Sequence, residues 1–154
     1  SVDDAIEFMK NREGEYGDSS PYLIESLADM YARKGDYENA AIYLSKLRDM
    51  GDLSINTYSN IAIVYQNMDD MTNARKYLDE MVDTYPNSYE SYMRYAMFEA
   101  DIQGGLPNES RDYSDFAKYY NKAVELYQDS GADDVEMKKL SSIAEQLKSG
   151  GWFK

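Results

Sequence analysis

The sequence predicts an all-α fold built as a repeat of helix pairs. Three observations carry this reading. A pattern of apolar and small residues recurs after 34 residues. Apolar stripes at helical spacing precede and follow the recurring part. Each copy is broken midway by a turn-forming pair, Gly35-Asp36 in the first and Asp69-Asp70 in the second. Gly and Asp both suit a helix end followed by a tight turn.

Taken in order, Ala5, Ile6, Phe8 and Met9 form an apolar stripe that predicts a helix over residues 1–14. The first full copy spans 21–54 and the second 55–88. Ile24 matches Tyr58, Leu27 matches Ile61, Ala28 matches Ala62 and Tyr31 matches Tyr65. After the turn, Ala40 matches Ala74, Leu44 matches Leu78 and Leu47 matches Met81. Pro86 cannot continue a helix and closes the second copy.

A third copy, 89–130, starts in register with Tyr92, Tyr95 and Ala96, but Glu99 stands where the others have Tyr. The register then slips by eight residues and resumes with Tyr113, Tyr120 and Ala123. The insertion, near 104–111, holds Gly104-Gly105-Leu106-Pro107-Asn108-Glu109-Ser110, which is loop chemistry. Phe116 replaces the small residue of the earlier copies, so this helix pair is expected to spread slightly. Val135, Met137, Leu140, Ile143, Ala144 and Leu147 form a last stripe, over 133–148. Lys138, Lys139, Glu145, Gln146 and Lys148 give it one polar face, as a helix capping a repeat stack requires. In the tail, 149–154, Trp152-Phe153 follow two glycines and are expected to fold back onto this cap. The total is eight helices.

Within 55–88, the spacing of Tyr58, Ile61-Ala62, Tyr65, Ala74, Leu78 and Pro86 resembles a tetratricopeptide repeat (TPR) of bacterial type. The resemblance implies two antiparallel helices per unit and an α-solenoid, a right-handed superhelix, over residues 1–154 as a single domain. It makes Ala28, Ala62 and Ala96 the close-approach sites on first helices, with Ala40 and Ala74 on second helices. A larger residue there overpacks, at a cost of roughly 1–3 kcal/mol. Tyr31, Tyr37, Tyr58, Tyr65, Tyr92, Tyr113 and Tyr120 fall at packing positions, whereas Tyr22 and Tyr89 begin first helices and are candidates for contact. Residues 1–14 become the second helix of a partial unit, which leaves an edge open to self-association or to a longer solenoid.

Composition narrows the function. The chain has 154 residues, 43% of them hydrophobic, enough to bury a core. It lacks Cys and His, which excludes disulfide and thiol chemistry and removes the commonest general base and metal ligand. The net charge of −13 repels phosphate backbones and anionic lipid, so no nucleic-acid partner is expected. No apolar run is long enough to insert in a membrane. The chain opens Ser1-Val2-Asp3-Asp4, with neither Met nor a signal pattern, and reads as a piece of a longer protein. A cytoplasmic location is expected unless a signal or anchor precedes it.

Asp69-Asp70 and Asp133-Asp134 lack calcium-loop spacing; they read as a turn and a helix cap, and no metal or cofactor is expected. Asn108-Glu109-Ser110 matches the glycosylation triplet. Nothing pairs a nucleophile with an activator, so no enzyme activity is expected.

What remains is binding. In the resembled family, first helices line a concave groove that holds a peptide or a partner helix. Here the lining would be Tyr22, Glu25, Asp29 and Arg33 from the first unit, and Asn56, Ser59, Ile63 and Gln66 from the second. The third would add Glu90, Met93, Met97 and Ala100. Such a groove is acidic at one end with an apolar patch of Ile63, Met93 and Met97, suited to a basic and apolar protein or peptide. One subclass of the family clamps a chaperone's terminal carboxylate with Lys, Asn and Arg. Asn60 and Arg94 match two of its sites, but Glu25, Asp29 and Glu90 occupy the others and would repel that ligand. The alternatives are a structural, self-associating segment of a longer solenoid, or a regulatory domain attached to a catalytic one such as a bacterial protein kinase.

Overall fold

The computed structural model describes residues 1–16 and 20–154, without the side chains of Glu13, Glu15 and Tyr16. Among these residues the chain forms eight α-helices. They are α1 (Val2–Tyr16), α2 (Pro21–Lys34), α3 (Tyr37–Met50), α4 (Ile55–Asn67), α5 (Met71–Thr84), α6 (Tyr89–Gly104), α7 (Ser114–Ser130) and α8 (Val135–Ser149). The chain divides into two compact units, Ser1–Glu80 and Met81–Lys154, with the division inside α5.

Helix starts in the first unit are set by a repeating set of caps. Ser20 Oγ accepts the Leu23 N–H at 3.4 Å, and Ser54 Oγ accepts the Thr57 N–H at 3.1 Å. Asp36 and Asp70 cap α3 and α5 through both carboxylate oxygens. One oxygen accepts the backbone N–H of Asn39 or Asn73, and the other accepts that residue's side-chain amide at 2.7 Å. These caps satisfy donors that a helix start otherwise leaves unpaired. The turns before them are left-handed at equivalent positions: Gly35 has φ 84° and Asp69 has φ 60°.

In the same unit, Ile24, Leu27, Ala28, Ala40, Leu44 and Leu47 are buried where α2 and α3 pack. Tyr58, Ile61, Ala62, Ala74 and Leu78 repeat this on α4 and α5. Each hairpin adds a stacked aromatic pair, Tyr31 on Tyr43 and Tyr65 on Tyr77, both with centroids 5.5 Å apart. Arg48 on α3 grips Glu80 on α5 through two hydrogen bonds, of 2.7 and 3.3 Å, and its guanidinium lies over Tyr77. The helix α1 packs on α2 through buried Ile6 and the Lys34–Asp3 ion pair at 2.6 Å. Phe8 was expected in the packed stripe but is 57% exposed, because Ile6 and the half-buried Met9 hold the inward face.

The second unit is built on α6, α7 and α8 around Met93, Ala96, Phe116, Tyr120, Met137 and Leu140. Phe116 is fully buried, stacked on Tyr120 and edge-on to Phe153. Where Glu99 replaces the first-helix Tyr, the stack moves one turn back: Tyr95 lies on Tyr119 with centroids 3.8 Å apart. The inserted loop contains a short 3-10 turn, Asn108–Ser110. Arg111 ties the loop down by donating to the carbonyls of Leu106 (2.8 Å) and Gly104 (3.0 Å). Trp152 and Phe153 do fold back, but beyond α8 itself: Trp152 packs on Tyr113 and Phe153 on Phe116, at the start of α7. Val135 and Ile143, expected in the inward stripe of α8, are exposed, since Met137, Leu140 and Ala144 occupy its packed face.

Candidate protein-interaction site

In the first unit, α2 and α4 leave a solvent-open cleft of about 520 Å³. Tyr22, Glu25, Asp29 and Arg33 rise along the α2 side, at the helical spacing that puts them on one face. Asn60 and Ile63 rise from α4. Ala28, Ala32, Leu44 and Val64 form the floor, so the base is apolar and the rim polar. The small Ala residues that let these helices pack also keep the floor open.

The rim is electrostatically uneven. Asp29 Oδ2 accepts from Arg33 Nε at 2.8 Å, one turn apart on α2, so these two charges largely cancel. Glu25 has a different partner. Its Oε1 accepts from the Thr57 hydroxyl on α4 at 3.4 Å, a neutral bond that steadies the carboxylate without compensating its charge. The Tyr22 ring is 77% exposed at one end of the cleft, and Ile63 is 46% exposed on the other wall. An exposed aromatic and an exposed aliphatic beside an open carboxylate give a surface for apolar and cationic groups.

Of the residues that the sequence singles out, Tyr22, Glu25, Asp29, Arg33 and Ile63 come together in this cleft. Asn56, Ser59 and Gln66 lie on α4 but do not line it; Ser59 is buried. The remaining candidates belong to the second unit. There Glu90 is exposed and Met97 and Ala100 are half-buried. Met93 is corrected outright: at 2% exposure it is a core residue, packed with Met137 and Leu140 of α8, and offers no surface. Asn60, which matches a clamp position in the sequence, also lines the cleft; the sequence signal for it is its spacing, three residues before Ile63 and four before Val64 on α4.

Two other candidates prove structural. Tyr89 donates to Asp134 Oδ2 at 2.8 Å and packs edge-on to Tyr127. Burial, reinforced by the Asp134 carboxylate, pushes its hydroxyl up to about 12. The Tyr89 hydroxyl holds Asp134 below the usual carboxylate range, and Asp134 in turn caps α8 through the Glu136 and Met137 N–H groups. Arg94 pairs with Glu136 at 3.1 Å and so is committed to the α6–α8 contact. Among the described residues no cluster of acidic side chains is placed to hold a metal ion, and no helix is long and apolar enough to cross a membrane.

Comparison with known proteins agrees with this architecture. The tetratricopeptide repeat family model matches residues 58–88, which include α5, most of α4 and the residue before α6. One crystal structure of MamA superposes with a TM-score of 0.64 at 17% identity, over 83% of this chain and 70% of that one. A second MamA crystal structure gives 0.63 at 19% identity, over 87% and 70%. At these identities the likeness is one of fold. No curated protein matches the chain.

Proposed function

Starting from an all-α TPR solenoid, a fold that serves in general as a non-catalytic scaffold for protein interaction, we propose that this chain holds a segment of a protein partner in the cleft between α2 and α4. The observation that carries the reading is the cleft itself: an apolar floor under a rim that keeps one uncompensated carboxylate and two exposed apolar side chains. The favoured partner is basic and apolar. The chain's charge of −13 speeds its encounter with such a partner, and screening by salt slows it.

A pull-down with the immobilised chain tests this. A partner retained by the wild type should be lost by the Glu25→Lys/Asp29→Lys double variant, which reverses the rim's charge. Retention of the same partner by that variant removes the cleft from consideration.

A second reading, self-association through the N-terminal half-unit, is supported by the exposed Phe8 on the outward side of α1. Light scattering over a concentration series decides it: growth in mass that Phe8→Ser abolishes supports the reading, and a constant monomer mass ends it.

A further inference from the structure

We infer that the cleft reads one lysine or arginine side chain of the bound segment, and that Glu25 rather than Asp29 is the residue that reads it. The inference rests on the binding reading above and assigns its charge selectivity to a single side chain. Sequence alone makes Glu25 and Asp29 equivalent, as two carboxylates one turn apart on one face of α2. The structure separates them. Asp29 is already paired with Arg33 at 2.8 Å, so a ligand cation gains little from it and meets Arg33 beside it. Among the described residues Glu25 accepts only the weak bond from the neutral Thr57 hydroxyl, at 3.4 Å. That bond tethers Oε1 to α4, and the Glu25 side chain lines the cleft.

The surroundings of Glu25 fit a cation carried on a peptide better than a free one. Tyr22 lies three residues before it on α2 and lines the same cleft, so its exposed ring can cover the alkyl stem or face of a Lys or Arg. Across the cleft, the Asn60 side-chain amide can both donate and accept, which suits a peptide backbone. Ile63, Val64 and Leu44 offer an apolar surface to a neighbouring side chain. The charges on the rim, one from Glu25 and a cancelled pair from Asp29 and Arg33, sum to one negative charge and so match one cation. A volume of about 520 Å³ far exceeds a lone ammonium group. The occupant inferred is therefore a segment with Lys or Arg next to a bulky apolar residue.

Selection of a randomised heptapeptide display library on the immobilised chain tests this. Wild-type protein should enrich peptides with Lys or Arg adjacent to a bulky apolar residue. Glu25→Gln should keep the apolar preference and lose roughly fivefold or more of the cation enrichment. Asp29→Asn/Arg33→Gln removes the internal pair without changing net charge, and should keep the cation enrichment. Cation enrichment that survives Glu25→Gln, or that disappears in the paired variant, overturns the assignment. Enrichment of apolar peptides with no cation preference by the wild type overturns this inference and leaves the binding reading standing. Failure of the wild type to enrich any peptide overturns both.

Discussion

Tyr31 and Tyr65 each stack on a second-helix partner, Tyr43 and Tyr77, yet the third first-helix position is Glu99. The fold meets this substitution by drawing Tyr95 over Tyr119 instead, one turn earlier. Tyr95→Ala should therefore cost about 3–5 kcal/mol in urea unfolding, comparable to the loss of any buried core aromatic. Met93→Ala should cost about 2–5 kcal/mol and leave partner binding unchanged at full folding, since the side chain lies in the second unit's core. At the left-handed turn before α5, Asp69→Gly should raise stability by about 0.5–1 kcal/mol. The left-handed backbone costs a non-glycine residue about 1–2 kcal/mol, and glycine's greater freedom when unfolded offsets part of that. Met93 also shows that equivalent positions of a repeat can meet different surroundings. Its position is equivalent to Glu25, which lines the cleft, and to Ser59, which is buried. Spacing transfers a position from unit to unit, but what covers it depends on the next helix, and here that is α8.

The residues before helix starts repeat in type, but the side-chain caps form only in the first two copies: Ser88 makes no cap bond, and Tyr113 rather than Asp112 is the N-cap of α7. Ser20, Ser54 and Ser88 precede first helices, while Asp36, Asp70 and Asp112 precede second helices. The eight-residue insertion separates the last Asp from the strict period, as it does the core residues. The recurring Ser and Asp are legible in the sequence, but which of them cap depends on the local backbone. The stacked pairs were half-legible: Tyr31 and Tyr65 stood out, but their partners Tyr43 and Tyr77 are recognised only once the two helices of a hairpin face each other. Ser54→Ala should cost about 1 kcal/mol, seen as a lower thermal midpoint.

The carboxylates before second helices also set the acid limit. Asp36 and Asp70, bonded by Asn39 and Asn73, and Asp112, bonded by Ser114, are held below the usual carboxylate range. The unfolded chain thus protonates at these groups first. Their contribution is complete above about pH 4 and is lost as pH falls through the lower folded values. Tyr89 sets the alkaline limit with the opposite sign. Its folded value of about 12 lies above the ordinary 10, so its contribution is complete below pH 10 and is lost on the way to 12. Tyr89→Phe should flatten that alkaline loss in a pH series of thermal midpoints.

At the scale of the molecule, the helical-repeat architecture was legible because a 34-residue period repeats both its spacing and its turns. The cleft was legible in part. Five of its rim residues follow from helical phase alone, but the pairing of Asp29 with Arg33 and the tethering of Glu25 by Thr57 depend on rotamers and on the approach of α4 to α2. With no His to titrate, thermal midpoints should be nearly flat between about pH 6 and 8, which a buffer series checks. The most direct measurement of the central claim is an amide chemical-shift map of the isotope-labelled chain titrated with a Lys-containing heptapeptide recovered from the display selection. The account predicts shifts that saturate and concentrate at Tyr22, Glu25, Asn60 and Ile63, and that vanish in Glu25→Lys/Asp29→Lys. Saturating shifts confined to α6 and α7, with the α2 and α4 amides unmoved, would contradict it.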